Sequence, residues 1–290
     1  MTRGRRAGAA TGAALVAAAS LASAHELFLH PRGFHVAPHA TITLPVLNGT
    51  FAASENAVER TRITDLSLRG PGGRTPIDRA RWTERDPRST VRVTVAGPGT
   101  YVVGVEVGAR TIALDGPAFD RYLAEEGITP ILDRRRATGR LGQPARESYA
   151  KAAKTLIAVT DAAGHLAAPA RDGASAALVA GGHAAEIVPL VDPYAVTVGD
   201  TLPVRALVGG RPLAGWTIRT GGTIGTSTTA IPTQVLTTDR DGRATVRLTH
   251  AGHWFVAFVH MVDAPAGASV DYVSRWATLT FGVLPYVIVD

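Results

Sequence analysis

The amino-acid sequence predicts a mainly β protein with two β-sandwich domains of immunoglobulin-like type and a small helical insertion between them. Two stretches contain short runs of alternating apolar and polar residues separated by Gly/Pro turns, a pattern typical of sandwich strands. Between these stretches the apolar residues take helical spacing. The expected order is a signal peptide (1–24), an N-terminal β-sandwich (25–116), a helical insertion (117–160), an Ala/Gly-rich linker (161–183) and a C-terminal β-sandwich (184–290).

The first 24 residues have the three parts of an export signal. Three arginines precede an alanine-rich apolar stretch at 7–20, and Ala22-Ser23-Ala24 forms a small-residue cleavage signal. General secretion and twin-arginine export both remain open. Cleavage after Ala24 would make His25 the first residue of the mature chain. No second long apolar run follows, so the mature chain is expected to be periplasmic or extracellular and not membrane-spanning.

The N-terminal sandwich is predicted from alternating runs that are separated by turns. Gly97-Pro98-Gly99 is the clearest of these turns, and it introduces the most apolar run of the domain. The predicted strands lie at 41–46, 63–68, 91–95 and 101–107.

Three short helices are predicted for the insertion. Phe119, Tyr122 and Leu123 lie at helical spacing after Pro117, and Gly127 ends this helix. Ile131 and Leu132 belong to a second helix. A third is predicted because four apolar residues fall on one helical face: Tyr149, Ala153, Leu156 and Ile157.

The C-terminal domain returns to the β pattern. Asp241-Gly242 stands at the tip of a predicted hairpin. About seven strands are expected in this domain. The main runs lie at 187–190, 202–208, 217–219, 244–248, 254–259 and 276–283.

Charge and cysteine content exclude several classes of protein. The formal charge is +6, but three arginines lie in the predicted signal, so the mature chain has a charge of 27 − 24 = +3. With no basic stripe interleaved with aromatic residues, nucleic-acid binding is not expected. The chain contains no cysteine, which excludes disulfides, thiolate metal sites and cysteine nucleophiles.

The chemistry that remains is that of histidine and carboxylate ligands. No nucleophile elbow, zinc-protease motif, P-loop or dinucleotide fingerprint is present, so no enzymatic activity is predicted. Four of the nine histidines lie in the first 15 residues after the predicted cleavage site. Imidazole nitrogens suit nickel, cobalt, copper and zinc ions.

His25 is the first candidate ligand, because its α-amino group and its imidazole would chelate one metal ion after cleavage. The alternative is an exposed terminus without a partner. His260 is the second candidate, since a polar residue at the end of an apolar strand needs a reason; a hydrogen-bonded core histidine is an equal alternative. His30 and Asp271 complete the candidate metal set, although His30 would need a bend in the chain to join His25, and turn geometry explains Asp271 as well.

Several segments, taken together and in order along the chain, resemble one family of bacterial envelope proteins. They lie at 25–31, 119–127, 146–149, 186–194, 209–215, 239–248, 254–261 and 274–281. The family is catalogued as domain of unknown function 4198 and is often labelled NikM-like, a periplasmic component of nickel or cobalt uptake. The resemblance implies an export signal, an N-terminal histidine and a transthyretin-like C-terminal β-sandwich.

The function expected from these observations is that of an exported, non-enzymatic protein. It would bind a divalent transition-metal ion (nickel, cobalt or copper) and deliver it to a membrane metal transporter or another envelope protein. Nickel or cobalt follows from the resemblance, whereas copper fits the ligand chemistry of His25 better. The main alternative is a β-sandwich interaction module that binds a protein or a glycan. A third possibility is an oxidative copper enzyme.

Overall fold

The structure is a computed structural model that describes residues 26–166 and 175–284. The predicted signal peptide and His25 lie outside the described residues. The described part of the chain forms 17 β-strands and two α-helices.

The first half of the chain is built from strands. They are β1 (Glu26–Leu29), β2 (His35–Val36), β3 (Thr41–Gly49), β4 (Ile63–Gly70), β5 (Gly73–Pro76), β6 (Trp82–Arg85), β7 (Arg88–Thr94) and β8 (Gly99–Leu114). Two helices and a long strand follow: α1 (Gly116–Glu125), α2 (Thr129–Ala137) and β9 (Ala145–Val159).

The second half of the described chain is again β. It contains β10 (Ala185–Pro189), β11 (Thr201–Val208), β12 (Arg211–Pro212), β13 (Thr217–Ile224), β14 (Ala230–Thr237), β15 (Arg243–Arg247), β16 (Gly252–Asp263) and β17 (Tyr272–Val283).

The largest sheet contains nine strands and extends through both halves of the chain. Its order is β14-β13-β16-β17-β9-β8-β4-β5, with β2 paired to β9. We call it the central sheet. The two halves of the chain are joined in this sheet by β17 and β9, which pair parallel. The other neighbouring strands along this order pair antiparallel.

Two four-stranded sheets pack on the central sheet. The N-terminal sheet has the order β1-β3-β7-β6, and the C-terminal sheet contains β10, β11, β12 and β15. Leu44 and Val91 of the N-terminal sheet share a core with Val105 of β8. Leu202 of the C-terminal sheet shares a core with Leu279 of β17. The predicted mainly β fold with sandwiched sheets is confirmed.

The two small sheets lie on opposite faces of the central sheet. Successive side chains of a strand point to opposite faces. In β9, Ala153 and Ile157 face the core of the N-terminal sheet, whereas Leu156 and Ala158 face the core of the C-terminal sheet. We call these the front face and the back face. The front face also carries α1 and α2, which pack over Tyr272 and Trp276 of β17.

Two of the three predicted helices are present. Asp115 caps α1, because its carboxylate accepts a hydrogen bond from the Ala118 backbone N–H at 2.8 Å. Gly127 follows α1 with a φ of +68°, a left-handed conformation that favours glycine after a helix.

The prediction of a third helix is wrong, because residues 145–159 form β9. This strand lies in the middle of the central sheet, and its second half is buried on both faces. A strand buried on both faces carries a continuous apolar run instead of an alternating one. In such a run, apolar residues also fall at helical spacing by chance, so the period does not separate helix from strand.

A buried ion pair connects the central sheet to the C-terminal sheet. The Lys154 Nζ in β9 lies 2.8 Å from the Glu186 carboxylate in β10, and both side chains are almost completely buried. The backbone N–H groups of Gly181 and Gly182 donate to the same carboxylate. Removing one partner of such a pair leaves an uncompensated buried charge.

We therefore expect Lys154→Met to lower the free energy of unfolding by about 3–5 kcal/mol, because Glu186 would lose its counter-ion. Arg136→Met is a matched control, since it removes a basic side chain whose ion pair with Asp133 is exposed. The control substitution should lower the free energy of unfolding by only about 0–1 kcal/mol. Urea unfolding measures both variants, and equal stability of the two would contradict a stabilising role of the buried pair.

Candidate functional site

Two histidines that are far apart in the sequence meet on the front face of the central sheet. His30 follows β1 directly, and its backbone N–H donates to the Pro45 carbonyl oxygen of β3 at 2.9 Å. His253 lies in β16. The His30 Nε2 and the His253 Nδ1 are 3.1 Å apart. We call these two residues the histidine pair.

Aromatic rings surround the histidine pair and remove much of it from water. The His30 ring stacks on Phe51, with ring centroids 4.3 Å apart, and Phe34 meets the His253 ring edge-on at 4.9 Å. Burial lowers the pKa of His30 to about 4, and the charge of His253 adds to this effect. Burial also lowers the pKa of His253. Both rings are therefore neutral at pH 7, which leaves a nitrogen lone pair on each.

Two interactions are open to the histidine pair. Either one ring nitrogen donates a hydrogen bond to the other, or His30 Nε2 and His253 Nδ1 both coordinate one metal ion. With metal–nitrogen distances of about 2.0–2.1 Å, the 3.1 Å separation corresponds to an N–metal–N angle of about 100°. This angle lies between those of tetrahedral and tetragonal coordination.

A cavity of about 280 Å³ lies beside the histidine pair. His253 lines this cavity together with Arg32, Phe34 and His35. The Nε2 of His35 is buried without a hydrogen-bond partner, and its ring packs against Tyr194. Burial lowers the pKa of His35, so this ring also favours the neutral form.

The structure does not bring the predicted metal set together. His260 lies seven residues beyond His253 in β16 and on the opposite face of the sheet. Its ring packs against Trp216 at 4.8 Å. Burial lowers the pKa of His260, and the Arg275 guanidinium adds to the effect. The strand continues to Asp263, and these contacts account for His260 as a packed residue within β16.

Asp271 has a structural role before β17. Its carboxylate accepts a hydrogen bond from the Arg146 backbone N–H at 2.8 Å and lies 3.5 Å from the Arg140 guanidinium. Within residues 26–166 and 175–284, no three His, Asp or Glu side chains lie close enough to hold a metal ion. His25 lies outside these residues, and it is joined to Glu26, which is about 13 Å from His30 along the extended β1.

A second group of ionisable residues surrounds Glu26. Arg219 of β13 donates to the Glu26 carboxylate at 2.6 Å and also to Glu126 at the end of α1. Lys151 of β9 is almost completely buried, and its Nζ donates to Asn48 Oδ1 at 2.8 Å. Nearby in the same strand, Glu147 is fully buried. We call Glu26, Glu126, Glu147, Lys151 and Arg219 the charged cluster.

The pKa values of three members of the charged cluster are close to neutrality. Burial raises the pKa of Glu126 to about 7, with a further contribution from the Glu26 charge and an opposing one from Arg219. Burial also raises the pKa of Glu147 to about 7. Burial lowers the pKa of Lys151 to about 7, and the Arg62 charge lowers it further. Each of these three pKa values lies well away from the ordinary value of its group, as is common where ionisable groups are buried together.

The environment of Glu147 explains its pKa. Its Oε1 accepts hydrogen bonds from Tyr122, at 3.1 Å, and from Ser274, and these bonds lower the pKa. Burial outweighs them, and the Oε2 is buried without a partner. The sequence offers no signal for this cluster. Glu126 looks like a solvated residue at a helix end, and its partner Arg219 is 93 residues away.

The fold and the site together define a mainly β protein with a central sheet shared by two sandwiches and buried ionisable groups on its front face. Residues 22–262 match the family model described as "Domain of unknown function (DUF4198)". The chain belongs to this family, as the sequence resemblance predicts. The association of the family with nickel or cobalt uptake stays a prediction.

Three solved structures are similar to parts or most of the chain. The D0–D1 domain of intimin has 14% identity and a TM-score of 0.20, with 89% of this chain and 98% of that chain covered. A DUF4785 family protein from Legionella pneumophila has 10% identity and a TM-score of 0.23, with 77% and 49% covered. The Escherichia coli adhesin FdeC has 16% identity and a TM-score of 0.22, with 90% and 65% covered. The sequence matches no curated protein.

The charged cluster predicts how stability depends on pH. The pKa of Glu147 is higher in the folded state than its ordinary value of 4.5. Its stabilising contribution is therefore complete below pH 4.5 and is lost as the pH rises to about 7. Between pH 4.5 and pH 7 this effect lowers the free energy of unfolding. Glu147→Gln should reduce that decrease by as much as about 3 kcal/mol, at about 1.4 kcal/mol per pKa unit.

Urea unfolding at pH 5, 6 and 7 measures this effect. Glu59→Gln is the control, because Glu59 is an exposed carboxylate outside the charged cluster. The control variant should keep the pH dependence of the wild type. A Glu147→Gln variant with an unchanged slope between pH 5 and pH 7 would show that Glu147 is ionised throughout this range.

Proposed function

We propose that the protein binds a divalent transition-metal ion (nickel, cobalt or copper) and that His30 and His253 are its first two protein ligands. The observation that carries this proposal is the distance of 3.1 Å between His30 Nε2 and His253 Nδ1 in an aromatic surrounding. Imidazole binds these metals through a neutral ring nitrogen, and burial favours the neutral ring.

The small number of ligands fits a protein that carries metal as cargo. A structural zinc site is closed by four protein ligands. Two imidazoles leave the remaining positions to water or to a group from another molecule, so the ion is free to exchange. We propose that the protein is exported, is not an enzyme, and delivers the ion to a membrane metal transporter or another envelope protein. No helix of the described chain is long and apolar enough to cross a membrane.

His25 remains a separate proposed ligand. After cleavage at the predicted site, its α-amino group and imidazole would bind a metal ion together. His25 lies outside the described residues, so this proposed site and the histidine pair are tested independently.

Calorimetric titration of the mature protein with Ni²⁺, Co²⁺ and Cu²⁺ tests the histidine pair, after mass spectrometry has confirmed that the chain begins at His25. We expect His30→Ala and His253→Ala each to weaken binding at least about tenfold, which corresponds to about 1.4 kcal/mol. His165→Ala is the matched control, because His165 is 72% exposed and lies in a loop. This variant should bind like the wild type.

Two results would reject the histidine pair as the metal site. In the first, His30→Ala and His253→Ala bind metal like the wild type while His25→Ala does not, which places the site at the N-terminus. In the second, the mature protein binds none of the three ions. Thermal unfolding of each variant without metal shows whether the substitution itself disturbs the fold.

A further inference from the structure

The outward surface of strands β3, β7 and β6 of the N-terminal sheet carries arginines and threonines without any carboxylate. In β7, Val91 and Val93 point into the core, so Arg88, Thr90 and Arg92 point outward. By the register with β7, the neighbouring strands β3 and β6 present further outward residues. We call the whole set the arginine face: Thr41, Thr43, Pro45, Thr83, Arg85, Arg88, Thr90, Arg92 and Thr94.

The pleat of the β6–β7 hairpin separates acidic from basic side chains. Trp82 and Glu84 share one side of β6, and Trp82 is in the core. The Glu84 carboxylate accepts a hydrogen bond from the Arg60 backbone N–H at 2.6 Å. In the turn, the Asp86 carboxylate accepts one from the Ala57 backbone N–H at 3.3 Å. Both acidic groups are thus bound to the segment on the inner side, away from the arginine face.

The arginines of this face have no partner within the described chain. Arg85 and Arg88 are directly opposite each other in the β6–β7 register, and both are exposed. Like charges in directly opposite positions destabilise a sheet. Among the described residues, the guanidinium groups of Arg85, Arg88 and Arg92 form no ion pair and no hydrogen bond. Three planar groups suited to bidentate binding of anions are therefore unused.

The spacing of these arginines fits a polymer better than a small ion. Directly opposite residues of a pair are about 5 Å apart, and Arg92 lies about 13 Å from Arg88 along the strand. Anionic groups repeated along an extended chain match such a line of charges. Threonine hydroxyls between the arginines supply donors and acceptors for sugar hydroxyls.

We propose that the arginine face binds an anionic polysaccharide. The face contains no aromatic side chain, which disfavours single-stranded nucleic acid, because such ligands stack on aromatic rings. It also contains no large apolar side chain to insert into a membrane. The predicted export signal places the protein where surface glycans occur. This surface is formed by the N-terminal sheet and is independent of the histidine pair.

Biolayer interferometry of the mature protein on immobilised heparin, polygalacturonate and neutral dextran tests the proposal. We expect binding to at least one of the two anionic glycans, none to dextran, and an affinity that falls as NaCl is raised from 50 to 300 mM, since the contact is electrostatic. Heparin carries sulfate and polygalacturonate carries carboxylate, so their comparison identifies the anionic group.

The decisive comparison uses two triple variants with the same loss of charge. Arg85→Gln/Arg88→Gln/Arg92→Gln should weaken glycan binding at least tenfold. Arg211→Gln/Arg240→Gln/Arg247→Gln, which changes three exposed arginines of the other sandwich, should stay within twofold of the wild type. The first variant is expected to fold, because it removes the repulsion between Arg85 and Arg88.

Three outcomes would overturn the proposal. An equal loss of glycan affinity in both triple variants would mean that net charge alone causes the binding. Absence of binding to both anionic glycans at 50 mM NaCl would reject the ligand class. Tighter binding to phosphatidylglycerol vesicles or to single-stranded DNA than to either glycan would assign the face to another type of partner.

Discussion

The nine parallel residue pairs between β17 and β9, from Tyr272 with Glu147 to Thr280 with Thr155, join the two halves of the chain into one sheet. Parallel neighbours need a crossover connection. Here the crossover includes the C-terminal sheet and the strands β13, β14 and β16 of the central sheet. The pairing buries β9 in the middle of the central sheet, and it gives each small sheet a different face to cover. The two sandwiches consequently share the central sheet as a common layer.

The position of β1 follows from this arrangement. The strand lies on the front face beside β17, where Thr278 and Thr280 donate hydrogen bonds to the carbonyl oxygens of Leu27 and Leu29. One end of β1 carries Glu26 into the charged cluster, and the other end carries His30 to His253. A strand of four residues therefore connects the two groups of ionisable side chains on the front face.

Local patterns were sufficient for most of the fold. Alternation predicts the outer strands correctly, and Pro117 with Gly127 brackets α1, because these signals act over a few residues. The sequence fails at β9, where burial on both faces removes the alternation. The sequence also gives no sign of the partners of His253 and Glu126, because these partners lie 223 and 93 residues away and only strand order brings them close.

The placement of the two small sheets on opposite faces has a geometric consequence for the whole molecule. Packed sheets are about 10 Å apart, so the outward surfaces of the two small sheets are separated by a stack about 20 Å thick. They face opposite directions, because both small sheets pack on the same central sheet. A partner held on one surface leaves the other accessible. The two surfaces lie on opposite sides of the central sheet.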